Sequence, residues 1–188
     1  MINQEIANCK LCKENLPHEP RPVTHFSSES KIAIIGQAPG RRVHETGIPW
    51  NDPSGDNLRN WLNIDKSTFY NSKLFAIVPM GFCYPGTGKS GDLPPMKICA
   101  PHWHQQIWDF CKDIELFILI GKYAHDYYLK NNAKKNLTET VANFESYLPK
   151  YFVLPHPSPR NNIWQKKNPW FKVQVISELQ NEIKRIID

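Results

Sequence analysis

Cys9 and Cys12 form a C-x2-C pair, and Cys83 and Cys99 follow after 70 and 15 intervening residues. Thiolates are soft ligands, and four of them closing a long loop suit tetrahedral zinc or an iron-sulfur cluster. In a reducing cytosol a disulfide framework is disfavoured, and a C-x2-C that precedes the first strong strand is out of place for thioredoxin-type redox chemistry. The four cysteines therefore read as a structural metal centre that clamps an N-terminal knuckle, about residues 1–20, onto the rest of the chain. Unrelated buried thiols are the alternative. Cys111 lies in an apolar, helix-like stretch and is assigned to the core.

Two further segments carry chemistry of a different kind. In Gly36-Gln37-Ala38-Pro39-Gly40, Gly36 lets the backbone turn, Pro39 stiffens the turn and Gly40 permits close approach of a ligand to the main chain. In Leu154-Pro155-His156-Pro157-Ser158-Pro159-Arg160, prolines frame a histidine whose neutral ring can donate a hydrogen bond without a proton from solvent.

The elements needed to position these segments follow from the hydrophobic pattern. Lys31 to Gly36 is a β-branched run suited to a buried parallel strand, and further strands are predicted at Leu74 to Pro79, Glu115 to Gly121 and Tyr151 to Leu154. Helices are predicted over Ser54–Asn63 with Ser54 as N-cap, Pro101–Lys112, Lys122–Asn131, Thr138–Phe144 and from about Trp170. Alternating strands and helices imply a three-layer α/β/α fold around a mostly parallel four-stranded sheet. Both the Gly36 turn and the His156 loop then leave the carboxyl ends of their strands, where open α/β sheets bind ligands.

A chain of 188 residues with 40% hydrophobic and 22% charged residues is expected to form a single globular domain. The N-terminus has neither a basic n-region nor an apolar h-region, and the expectation is a cytoplasmic monomer. A formal charge of +5 suits a polyanionic partner without requiring one. Sixteen prolines mark rigid loops of the kind that carry sites.

The turn, the distant His-Pro-Ser loop and the four cysteines, in this order and over nearly the whole chain, resemble the uracil-DNA glycosylases, and the cysteine spacing is similar to that of the cluster-bearing families four and five. The resemblance implies a [4Fe-4S] cluster on Cys9, Cys12, Cys83 and Cys99, with structural zinc as the alternative. It implies that Gly36, Gln37, Ala38, Asn51 and His156 surround a flipped-out base in damaged DNA. Thr46-Gly-Ile-Pro-Trp50 takes the place of the family's G-x-P-aromatic element, which makes Trp50 the stacking platform, worth roughly 1–3 kcal/mol. A core tryptophan is the other reading of Trp50. Asn51-Asp52-Pro-Ser-Gly55 resembles the segment that bears the family-five catalytic aspartate. Asp52 is thus the candidate to orient water and stabilise an oxocarbenium-like sugar, with Glu45 and Asp56 in reserve; its other reading is an Asx-turn or helix cap. His156 is expected to donate to the departing base, the backbone N–H of Gln37 sharing the charge. Ser158 and Arg160 are expected on phosphates, with Arg41, Arg42, Lys166 and Lys167 adding positive charge. Asn161, Asn162, Ile163 and Trp164 lie where the family inserts a wedge, Ile163 or Trp164 filling the gap in the duplex.

Three positions depart from the pattern. Gln37 stands where family four has a glutamate, Ala38 where family one has its catalytic aspartate, and Pro79 where family four reads uracil with an asparagine; Asn51 and Asn57 are candidate substitutes for the last. The expected function is a monofunctional DNA glycosylase that hydrolyses the N-glycosidic bond of uracil or another deaminated base. A non-catalytic or covalently trapping binder of damaged or single-stranded DNA, and a zinc-stabilised interaction module, are the competing readings.

Overall fold

Four short apolar runs, each too short and too β-branched for a helix, form the centre of the molecule. The computed structural model describes residues 2–188. In chain order its elements are α1 (Ile2–Ala7), β1 (Ile32–Ile35), α2 (Arg41–Thr46), α3 (Pro53–Leu62), α4 (Lys66–Phe69), β2 (Phe75–Ile77), β3 (Thr87–Gly88), β4 (Gly91–Asp92), α5 (Cys99–Phe110), β5 (Leu116–Ile120), α6 (Lys122–Leu129), α7 (Leu137–Ala142), β6 (Tyr151–Leu154), α8 (Asn162–Lys167) and α9 (Ser177–Ile187), the last preceded by a π-helical stretch, Phe171–Ile176.

The main sheet has the order β2-β1-β5-β6 and is parallel throughout, with Ile34 opposite Ile77 and Ile118, and Ile120 opposite Leu154. Every residue of β1 and β2 is buried, as a parallel strand covered on both faces must be. Helices flank the sheet, and the fold is the expected three-layer α/β/α arrangement. One continuous apolar cluster runs from Ile6 in α1 through the sheet to Leu179 and Ile183 in α9. Cys111 belongs to it, its thiol donating to Ser27 O at 3.1 Å. Among the described residues no helix is long and apolar enough to cross a membrane.

Several boundaries moved for physical reasons. α3 starts at Pro53, not Ser54: Asp52 is the N-cap, its Oδ1 accepting from Gly55 N at 2.8 Å, and proline sits at the first helical position, where no N–H is needed. α5 begins at Cys99, so the fourth cysteine of the series sits in a helix's first turn. The two-stranded antiparallel hairpin β3–β4 was unforeseen, because two residues per strand offer no period to detect.

Candidate active site

The carboxyl ends of β1, β2 and β6 open onto a cavity of about 560 Å³. Gly36, Gln37 and Ala38 from the turn, Trp50, Asp52, His156, Ser158 and Arg160 all line it, so segments 120 residues apart in sequence meet as the topology required. Asn51 does not line it, contrary to the base-binding place assigned to it, and neither do Glu45 and Asp56. Asp56 is instead ion-paired at 2.6 Å with Arg59, whose guanidinium lies over the Phe69 ring.

Trp50 is held by geometry that tolerates few substitutions. Its φ of 55° lies in the left-handed region, a strained place for a bulky residue and one that clusters at functional sites. Three neighbours fix it there. Tyr70 Oη donates to Pro49 O at 2.7 Å, and Arg59 Nη1 donates to Trp50 O at 3.3 Å. A Cβ on Gly55 would stand 1.8 Å from Trp50 O, so only glycine can follow at that point of α3. On the cavity side the indole rests against Gly36, where a Cβ would stand 2.8 Å from Cζ2. Close approach was expected at Gly40; at Gly36, assigned only the turn, it is a side chain of the protein itself that lies against the main chain.

His156 lies beside Trp50, their ring centroids 5.7 Å apart and inclined by 33°. A planar ring sandwiched between two others needs roughly 7 Å, twice an optimal carbon contact, so no base fits between them. They form one wall: a ring lying on the indole would present its edge to the imidazole. The loop carrying His156 is pinned from two sides, with Asn161 Nδ2 donating to His156 O at 2.7 Å and Asn57 Nδ2 to Pro157 O at 2.9 Å. Neither asparagine is therefore placed as expected, Asn57 as a base reader or Asn161 as part of a wedge. The His156 ring makes no hydrogen bond to another described residue, and burial pushes its pKa down, with the Asp52 carboxylate pulling the other way. The neutral imidazole is the form that donates from one nitrogen.

Gln37 points its amide away from acid–base work. Its Nε2 donates to Leu93 O at 3.1 Å, tying the turn to the hairpin β3–β4. That hairpin brings Thr87, Ser90 and Asp92 to the cavity, none of them foreseen. Burial raises the Asp92 carboxyl above its ordinary range, the charges of Arg160 and then Arg41 lower it, and that of Asp52 raises it. Ser158 lines the cavity while its Oγ accepts from Arg160 N at 3.3 Å. Arg41 and Arg42 are exposed at the start of α2. Of the two wedge candidates, Trp164 is turned inward, donating from Nε1 to Thr138 Oγ1 at 2.9 Å and packing on Trp170 and Phe171. Ile163 is 67% exposed, and it alone keeps the properties of a wedge. Pro79, at the departure point on β2's end, lines the cavity and accepts from His104 Nε2 through its carbonyl at 3.0 Å.

The cysteines lie close enough to act on one another. The thiol of Cys12 is raised by burial and then by Cys9; Cys83 is pushed up to about 11 and Cys99 to about 12, mainly by burial, with the other cysteines adding. N–H groups point at the sulfurs: Trp103 Nε1 to Cys9 and Phe82 N to Cys99, both at 3.4 Å, and the Arg21 backbone to Cys83. All five cysteines are free thiols. Among the described residues, no group of three or more His, Cys, Asp or Glu is arranged to hold a metal ion.

The sequence model of the Uracil DNA glycosylase superfamily matches residues 23–180, and the chain belongs to that superfamily.

Proposed function

Starting from that membership, we propose that the protein is a DNA glycosylase of base excision repair that hydrolyses the N-glycosidic bond of a flipped-out uracil or other deaminated base. The observation that carries this reading is the convergence of Trp50, His156 and Asp52 on one cavity at the carboxyl edge of the sheet. The extruded base lies on the Trp50 indole. His156 donates to it as it leaves with negative charge, and the Gln37 backbone N–H shares that charge. Asp52 places its carboxylate near the sugar, where positive charge grows as the bond to the base breaks. Arg41, Arg42, Ser158 and Arg160 meet phosphates, and Ile163 fills the space the nucleotide vacates.

On the same reading Cys9, Cys12, Cys83 and Cys99 hold a [4Fe-4S] cluster. The support is a donor set of four mutually close thiols served by N–H groups, as ligating thiolates require. When bound, the cluster supplies metal–thiolate bonds that tie the N-terminal knuckle, the Phe82–Cys83 segment and α5 together. Visible charge-transfer absorption of the purified protein checks it; a colourless protein with stoichiometric zinc would contradict it.

The test of the activity is alkaline strand scission after single-turnover incubation with oligonucleotides holding uracil, hypoxanthine or xanthine. Cleavage at one or more of these bases is expected. Tight binding without product would replace catalysis by the non-catalytic reading.

A further inference from the structure

The turn that opens the cavity carries no acid, since Gln37 and Ala38 cannot accept a proton from water, yet an acid reaches it from elsewhere in the chain. Asp92, the last residue of β4, lines the cavity, and its Oδ2 lies 3.3 Å from the place a Cβ on Gly40 would occupy. The carboxylate therefore rests against bare main chain at the end of the turn, where a side chain at position 40 would crowd it. The segment that delivers it is fixed at several points. Gln37 Nε2 bonds Leu93 O, Leu93 N bonds Gly86 O at 2.8 Å, Tyr84 Oη bonds Thr87 Oγ1, and the Arg160 guanidinium approaches Gly91.

The two cavity carboxylates are held differently. Asp52 keeps Oδ2 open but is fixed in orientation by the cap of α3, which takes Oδ1, whereas Asp92 accepts no hydrogen bond from another described residue and has both oxygens open. A fixed charge suits the stabilisation of a cation, and a carboxylate that can turn either oxygen onto a water suits proton transfer.

Resting on the glycosylase reading above, we propose that Asp92 accepts the proton of the attacking water, while Asp52 stabilises the sugar cation. The water oxygen bonds to C1′ as the C1′–N bond breaks. The bonding pair leaves with the base, stabilised by His156 and the Gln37 N–H, and the water proton passes to the Asp92 carboxylate. That proton then reprotonates the released base, directly or through solvent, so the reaction balances as a hydrolysis. Partial burial of its carboxyl raises Asp92 from the ordinary carboxylate value despite Arg160 and Arg41 beside it, which favours its taking a proton.

The experiment compares single-turnover base release by the wild type, Asp92→Asn and Asp92→Glu across about pH 4 to 9, with DNA affinity by fluorescence anisotropy and folding by circular dichroism. Asp92→Asn is expected to slow release by about 10²–10⁴-fold with affinity within about threefold, and to erase the acid limb of the pH–rate profile. Asp92→Glu should be slowed less and keep that limb. Release by Asp92→Asn within about tenfold of wild type, or a loss explained by weaker DNA binding with the acid limb intact, would overturn the proposal and leave Asp92 as a positioning partner of Arg160. A wild type that releases no base from any substrate would overturn the glycosylase reading as well. An active wild type with an active Asp92→Asn would overturn this inference alone.

Discussion

The cavity has a floor of strand ends and a rim formed by the hairpin β3–β4, and the two are held by different forces. The floor is continuous with the core: Ile35, Val78 and Leu154 are fully buried just before the turns that bear Gly36, Pro79 and His156. Beneath Pro79 runs a chain of hydrogen bonds with a fixed direction. Pro79 O can only accept, so His104 donates from Nε2; Trp108 Nε1 donates to Tyr128 Oη at 2.9 Å, and Tyr128 Oη donates to His104 Nδ1 at 2.5 Å. The rim has no such support. Its strands are two residues long, Thr87 and Asp92 are exposed, and it is held by the Gln37–Leu93 and Tyr84–Thr87 hydrogen bonds with the charges of Arg160 and Arg41 on Asp92. Substitutions in the floor should therefore cost stability and activity together, and those in the rim activity alone.

The largest effect is expected at Gly55→Ala. A methyl group 1.8 Å from Trp50 O cannot be accommodated without unwinding the start of α3, and a loss of about 4 kcal/mol or more in urea unfolding is expected. A loss below about 1 kcal/mol would show that Trp50 is not pinned by that contact.

Next comes the pH dependence of the floor. Burial lowers His104 to about 4 from an ordinary value of 6.5. The unfolded chain binds the proton first, so the stability from a neutral His104 is complete above pH 6.5 and falls as the pH drops towards 4. Over that window the His104 share amounts to about 3 kcal/mol. His104→Phe should be less stable at neutral pH, with Pro79 O left unpaired, and should lose that share of the acid slope. An unchanged slope would remove His104 from the floor's support.

Gly36→Ala should cost less, about 1–3 kcal/mol, because the indole it meets at 2.8 Å can tilt, but the tilt should take base release with it. Unaltered release would mean that the indole's position is not critical. The smallest stability change is expected at the rim: Gln37→Ala should shift unfolding by no more than about 0.5 kcal/mol while slowing release through a loosened hairpin. A large stability loss there would erase the distinction between floor and rim.

The floor was legible because its physics is local. β-branched runs announce the strands, glycine and proline mark where they turn, and the direction of a parallel sheet sends Gly36 and His156 to one edge. The cap formed by Asp52 was legible as one reading of that residue, although Ser54 competed for the N-cap until Pro53 was seen to take the first helical position. What stayed hidden depends on tertiary contacts that residue type and periodicity do not encode. Asn57 and Asn161 staple the His156 loop across 100 and 5 residues, and nothing in an asparagine's type distinguishes a staple from a base reader. Asp92 was hidden by a hairpin too short for periodicity, and Trp164 by an indole whose burial is decided by Trp170 and Phe171. The cysteine spacing was visible, but the N–H groups that serve the sulfurs, from Trp103, Phe82 and Arg21, belong to tertiary structure.

A crystal structure of the protein with duplex DNA bearing a non-hydrolysable 2′-fluoro-2′-deoxyuridine should show one extruded nucleotide whose ring lies on the Trp50 indole, with a His156 ring nitrogen within hydrogen-bond distance of its carbonyl edge and Asp52 and Asp92 on the sugar side. An unflipped duplex, or a nucleotide seated away from Trp50 and His156, would contradict that placement.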